Sequence, residues 1–181
     1  VSKNDKYLLL SLLGLFVVGL IIPFHGTGKY FSGVALIGIA LWMLRHDVIR
    51  IGIRKAGLTR FSSIALLIAN GWLICNGVLL IFLGDSLYSY DILIHVFFIG
   101  YTFAMIFAHG PIILPGVLGF TTKPYHPILY GWLFLVQGSL LLRLASDSMM
   151  HAELRKMSGI ITAVGILFYF VTIIILVLRA R

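Results

Sequence analysis

Residues 90–109 read YDILIHVFFIGYTFAMIFAH, a stretch whose one charged residue, Asp91, lies at its start. A run of about 20 apolar residues is what a helix needs to cross a hydrocarbon core of about 30 Å. Two histidines sit in it, His95 and His109, fourteen residues apart. On an α-helix that separation is about 21 Å of rise and close to four whole turns. Both imidazoles are therefore expected on nearly one face, near opposite ends of a span. A histidine inside a membrane span is a functional-site hypothesis by default, because a polar group there needs a partner. Imidazole is also a common axial ligand of haem iron.

Similar runs recur along the chain, which is 60% hydrophobic and only 11% charged. The class expected is all-α, a polytopic six-helix membrane bundle forming one transmembrane domain over residues 1–181. The expected spans are about 7–24, 30–49, 61–83, 90–110, 127–144 and 157–178. Pro111 and Pro115 are expected to disturb or end the fourth, since proline removes a helical donor. Gly14 with Ser11, Gly33 with Gly38, Gly71 with Cys75 and Gly159 with Ala163 are candidate positions for close helix approach. The first run, preceded by Lys3 and Lys6, resembles a signal peptide without a clear cleavage site. It is read as a retained first helix.

The formal net charge of +8 gathers in loops and at the ends. That placement speaks for membrane orientation and against nucleic acid as a partner. Arg45, Arg50, Arg54, Lys55 and Arg60 lie between spans two and three, whereas Asp85 and Asp91 lie between spans three and four. Positive charge marks the cytoplasmic side. Both termini are then cytoplasmic, in a prokaryotic inner (plasma) membrane; Arg143, Arg155 and Lys156 oppose this assignment. Cys75 stands alone, so no internal disulfide forms, and no CxxCH is present for covalent haem attachment.

On this topology the six histidines divide by depth. His25, His95 and His151 fall near the outer face, and His46, His109 and His126 near the inner face. Non-covalent haem b, one or two per chain, is the expected cofactor. His95 pairs with His25 for an outer haem, and His109 with His46 or His126 for an inner one. Phe97, Phe98, Gly100, Phe103, Ala104, Phe107 and Ala108 are expected to line the slot. An interfacial histidine is more often a hydrogen-bonded group than a ligand, a description that suits His126 and His151 best. Copper is a rival metal at His95, His109, His25 and His46, with Met43 and Met105 as soft donors. Asn70, Asn76, Gln137 and Thr102 are polar groups within spans, suited to inter-helix hydrogen bonds. The Pro- and Gly-rich segment His109–Pro127 is expected either as an ordinary amphipathic connection between spans four and five or as an interfacial or re-entrant segment that sets Lys123, Tyr125 and His126 before a head group such as a quinone ring.

The run IHVFFIGYTFAMIFAHGPIILPGVLG (Ile94–Gly119), followed by a span ending LLLRLAS (residues 140–146), resembles the later part of the NnrS-type haem and copper membrane proteins. The resemblance implies haem association for His95 and His109 and a link to nitric oxide or respiratory metabolism. The chain is shorter than those proteins and has fewer spans. Two histidines fourteen apart also resemble the haem-bearing helices of membrane b-type cytochromes. The function expected is that of a b-type cytochrome, an electron-transfer subunit of a respiratory or redox complex rather than a self-contained enzyme. Its partners would be the lipid bilayer, other subunits of the complex and a quinone. The alternatives are a non-haem structural or transport subunit and a nitric-oxide- or copper-related haem protein.

Overall fold

The structure is a computed structural model that describes residues 2–47, 49–84, 87–117, 119–120 and 123–179, and of Phe24 and His25 the backbone only. All regular structure among the described residues is helical. Six helical segments are long and apolar enough to cross a membrane: Lys3–Ile21, Gly26–His46, Gly57–Phe82, Ser89–Val117, Ile128–Ser148 and Ala152–Arg179. The chain divides into two compact units, Val1–Asp47 with Ala69–Tyr101, and Val48–Ile68 with Thr102–Arg181.

The first unit opens with α1 (Lys3–Ile21), started by a capping box. Ser2 Oγ accepts from the Asp5 amide while the Asp5 carboxylate accepts from the Ser2 amide, so two otherwise orphaned donors are satisfied together. Ile22, before Pro23, is extended and ends the helix. A π-helical turn, Phe24–Gly28, with non-helical backbone at Gly26, leads directly into α2 (Lys29–His46). That corner needs glycine: a Cβ on Gly28 would lie 2.6 Å from the Gly19 carbonyl oxygen. At the other end of the pair, the Trp42 indole N–H donates to the Asp5 carbonyl at 2.9 Å.

A short helix, α3 (Ile49–Gly52), belongs to the second unit, as does the first half of α4 (Gly57–Phe82). The second half of α4 packs on α2 through Gly33 and Gly77. A Cβ on either would sit 2.6 to 2.7 Å from the other's carbonyl oxygen. Leu36, Ala40, Leu73 and Leu80 form the core there, with Phe16, Phe97 and Tyr101 packed against it. Among the sequence-marked small residues, Gly14, Gly71 and Gly159 would carry a Cβ with no neighbour within 4 Å. Gly38 packs on the Leu12 side chain.

The fourth span is not one α-helix. It begins as α5 (Ser89–His95), passes through a π-helical segment (Val96–Thr102) and continues as α6 (Phe103–Val117). Gly100 within the π segment lies against Trp72, whose ring a Cβ would meet at 2.7 Å.

In the second unit α6 runs through Pro111 and Pro115 to Val117, where the spacing of prolines predicts disruption or an end near residue 110. Pro111 cannot donate to the carbonyl four residues back, that of Phe107. The Tyr169 hydroxyl donates to it instead. Ser62 Oγ donates to the next carbonyl, that of Ala108, at 2.7 Å. A neighbouring side chain, Tyr169, thus supplies the donor that Pro111 lacks. Tyr169 stacks on Phe107 with ring centroids 3.8 Å apart, and Phe61 packs beside it.

The last two helices, α7 (Ile128–Ser148) and α8 (Ala152–Arg179), pack as a hairpin. Trp132 donates to Thr172 at 3.0 Å, and the Ser139 and Thr162 hydroxyls meet at 2.7 Å. Both helices outrun the expected spans of 127–144 and 157–178. Arg155 and Lys156 therefore lie in the first turns of α8 rather than in a loop. The connection is short, with Met150 in the left-handed region (φ 54°). Arg155 reaches back to Asp147 at 3.3 Å, and the Asp147 side chain is fully buried.

Candidate functional site

The histidines differ in what their ring nitrogens do. His95 Nδ1 lies 2.8 Å from the Asp91 carbonyl oxygen, and His109 Nδ1 lies 2.8 Å from that of Met105. A carbonyl only accepts, so Nδ1 carries the proton in each neutral ring and Nε2 carries the lone pair. Both bonds reach the residue four positions earlier, the position an α-helix places under the side chain. His95 also has the Asp91 carboxylate 3.5 Å from Nδ1, and its side chain is 28% exposed.

His46 is engaged at both nitrogens. Nδ1 lies 2.9 Å from the Trp42 carbonyl oxygen, and Nε2 lies 3.3 Å from the Asp5 carboxylate. Its ring stacks on Trp42 at 4.5 Å. This cluster ties the start of α1 to the end of α2. His126 and His151 behave in the opposite way from His95. His126 Nδ1 accepts from the Ile128 amide at 3.1 Å, and His151 Nδ1 accepts from the Leu154 amide at 3.3 Å. Both are exposed and satisfy backbone donors at helix starts. His25 lies outside the described side chains.

His95 falls in the first unit and His109 in the second. The shared face expected of them presumes an unbroken 3.6-residue repeat from one to the other. The π-helical segment Val96–Thr102 interrupts that repeat, because its bonds span one residue more per turn. Several residues expected to line a slot are used in packing instead. Gly100 lies against Trp72, Phe107 stacks on Tyr169, and Ala104 and Ala108 are fully buried. Among the described residues, no three His, Cys, Asp or Glu side chains gather as a metal-binding group.

Two clefts accompany these groups. In the first unit an apolar cleft of about 210 Å³ is lined by Phe97 and Phe98 together with Leu36, Leu80, Ser32 and Asn76. In the second unit a cleft of about 380 Å³ brings together Arg60, Tyr125 and Tyr130. Tyr125 is among the residues that the sequence brings toward a head group, whereas His126 and Lys123 do not line this cleft. Asn76 stands out in the sequence as a polar residue within a span. Ser32 carries no such signal, being a lone serine in an apolar run.

No curated protein and no solved structure matches the chain. A family model described as a domain of unknown function, DUF8744, matches residues 1–178. That match takes in every helix described above save the last residue of α8, and the chain belongs to the DUF8744 family.

Proposed function

We propose that this chain is a membrane b-type cytochrome that carries electrons within or across the bilayer as a subunit of a redox complex. The observation that carries the proposal is the paired state of His95 and His109. Each has Nδ1 held by a backbone carbonyl, which leaves the Nε2 lone pair for a metal. A ligating histidine almost always donates its other N–H to a carbonyl or carboxylate, which sets the tautomer and the ring orientation. Of the further candidates, His46 would first have to leave Asp5, and His126 would have to supply Nε2 from a helix start. The resemblance to NnrS-type proteins and to membrane b-type cytochromes points to the same two residues. When bound, haem b supplies a one-electron couple. The chain's part is to present two oriented imidazoles in an apolar setting that excludes water. The reading places both termini in the cytoplasm of a prokaryotic inner membrane, with other subunits and a quinone as partners.

A second reading, a non-haem structural subunit, is favoured by the packing around the expected slot. Gly100 and Phe107 are committed to Trp72 and Tyr169, His46 joins α2 to α1 through Asp5, and His126 and His151 serve local hydrogen bonds. A reduced-minus-oxidised absorption spectrum with pyridine haemochrome analysis separates the two. The cytochrome reading expects a b-type band that His95→Ala and His109→Ala remove and His151→Ala retains. Colourless protein purified intact from a haem-replete host overturns it.

A further inference from the structure

The cleft of the first unit is walled almost wholly by carbon, with two buried polar side chains among its lining residues. Its rim is formed by Leu20, Tyr90 and Phe98, all largely exposed, and it opens where α1 ends, α2 and α5 begin, and α4 approaches its end. Its lining includes Ser32, which is 0% exposed, and Asn76, which is 3% exposed. Asn76 directs Nδ2 to the Leu93 carbonyl at 3.4 Å, and its Oδ1 is buried without a hydrogen-bond partner among the described residues. Ser32 Oγ is likewise buried without a partner among them. Nearly every buried polar atom in a folded protein is hydrogen-bonded, and two exceptions in one cleft call for an explanation. In lipid surroundings such an atom is costlier still.

The two atoms have complementary needs. Asn76 Oδ1 only accepts, while Ser32 Oγ has a proton to donate and lone pairs to accept. A hydroxyl group offers what each lacks, a proton for the amide oxygen and a lone pair for the serine. The remaining wall of Phe16, Leu36, Leu80 and Phe97 offers only carbon to whatever carries that hydroxyl. The cleft, about 210 Å³, is several times the roughly 30 Å³ that one water occupies in the liquid. The tyrosine at the rim suits the boundary between hydrocarbon and water, where one end of an aromatic ring is wet.

We propose that this cleft binds a membrane-soluble alcohol or phenol, an apolar body bearing one hydroxyl that bridges Asn76 Oδ1 and Ser32 Oγ. Its polar groups are not the residues proposed to hold haem, although Phe97 and Phe98, expected beside a haem, also line this cleft. Its polar contacts come from α2 and α4, its apolar walls come from α1, α2, α4 and the fourth span, and among the described residues no histidine lines it.

Fluorine NMR titration of the detergent-purified full chain tests this with three probes. They are a ring-fluorinated decylphenol, the same fluorinated decylbenzene without hydroxyl, and decanol fluorinated at its last carbon. The expected result is a saturable bound resonance for at least one hydroxyl probe, with the hydroxyl-free probe weaker by about tenfold, as loss of a hydrogen bond implies. Phenol above decanol identifies a ring-bearing ligand, and the reverse identifies a chain alcohol. Asn76→Leu and Ser32→Ala should each weaken the hydroxyl probe by about tenfold and leave the control unchanged. Should Asn76→Leu fail to elute as a single species, Ser32→Ala decides alone, since it removes one oxygen atom and adds nothing. Partition of all three probes without saturation, or equal binding to wild type and Ser32→Ala, overturns the proposal and leaves the two atoms to water.

Discussion

The Tyr169 hydroxyl donates to the Phe107 carbonyl at 2.5 Å, and Phe107 is the residue whose carbonyl Pro111 deprives of its helical donor. The two residues are 62 positions apart. The bond lies in a fully buried cluster, with the Tyr169 ring stacked flat on that of Phe107. It explains how a helix with two internal prolines continues without an orphaned carbonyl at that turn. Proline in a membrane helix persists where a neighbour supplies the missing donor.

That relationship predicts a coupled pair. Tyr169→Phe leaves the Phe107 carbonyl buried and unbonded, at a cost of about 1–3 kcal/mol. In a Pro111→Ala background the amide at position 111 returns, and Tyr169→Phe should then cost much less. Denaturation of the four proteins in mixed detergent gives a double-mutant cycle, with a coupling on the order of 1 kcal/mol expected. Strictly additive costs would show that the hydroxyl does not replace the proline's missing donor.

The contact between Gly33 and Gly77 predicts unequal glycines on one helix. Gly77→Ala places a methyl group 2.6 Å from the Gly33 carbonyl oxygen, which is backbone and cannot turn aside. Overpacking of this kind costs about 1–3 kcal/mol. Gly71→Ala, also on α4, meets nothing within 4 Å and should be neutral or stabilising by about 0.4–1 kcal/mol. Thermal unfolding followed by tryptophan fluorescence reads both, and similar shifts for the two would contradict the close packing of α2 on α4.

Arg155 and Asp147 join the start of α8 to the end of α7, with the carboxylate fully buried and the guanidinium about one-third exposed. Arg155→Met removes a charged partner from a buried carboxylate, and a loss of roughly 1–3 kcal/mol is expected. Asp147→Asn in the same chain should recover part of it, because the carboxylate charge that Arg155 faced is gone. The midpoint of chemical unfolding checks this; no recovery would place the stability of the hairpin elsewhere.

If haem is held as proposed, the two ligands should differ electronically. His95 has the Asp91 carboxylate 3.5 Å from Nδ1 as well as a carbonyl, whereas His109 Nδ1 bonds the neutral Met105 carbonyl. A carboxylate behind an imidazole makes it a stronger donor and stabilises the oxidised metal. Asp91→Asn should therefore raise the midpoint potential of the haem on His95 and leave one on His109 unmoved. A redox titration that shows both centres shifted together, or neither, would remove Asp91 from this role.

The six apolar runs are legible in the amino-acid sequence alone, and for a physical reason. In lipid each helix satisfies its own backbone, so its place in the chain is a local property of length and composition. His95 and His109 stand out on the same ground, as polar groups in apolar runs. Contacts between helices decide the rest. Residue spacing pairs Gly33 with Gly38 on one helix, but Gly33 meets Gly77 on another. Pro111 reads as a break, but Tyr169 comes from the last helix to repair it. His46 groups with His95 and His109 by composition, yet Asp5 claims the Nε2 of His46. The π-helical segment between His95 and His109 alters a helical phase that residue spacing assumes constant. Hydropathy sums along the chain and so reports where helices lie. Which imidazole keeps a free lone pair, which glycine admits a neighbour and which buried oxygen lacks a partner depend on atoms far apart in sequence, and only tertiary structure brings those together.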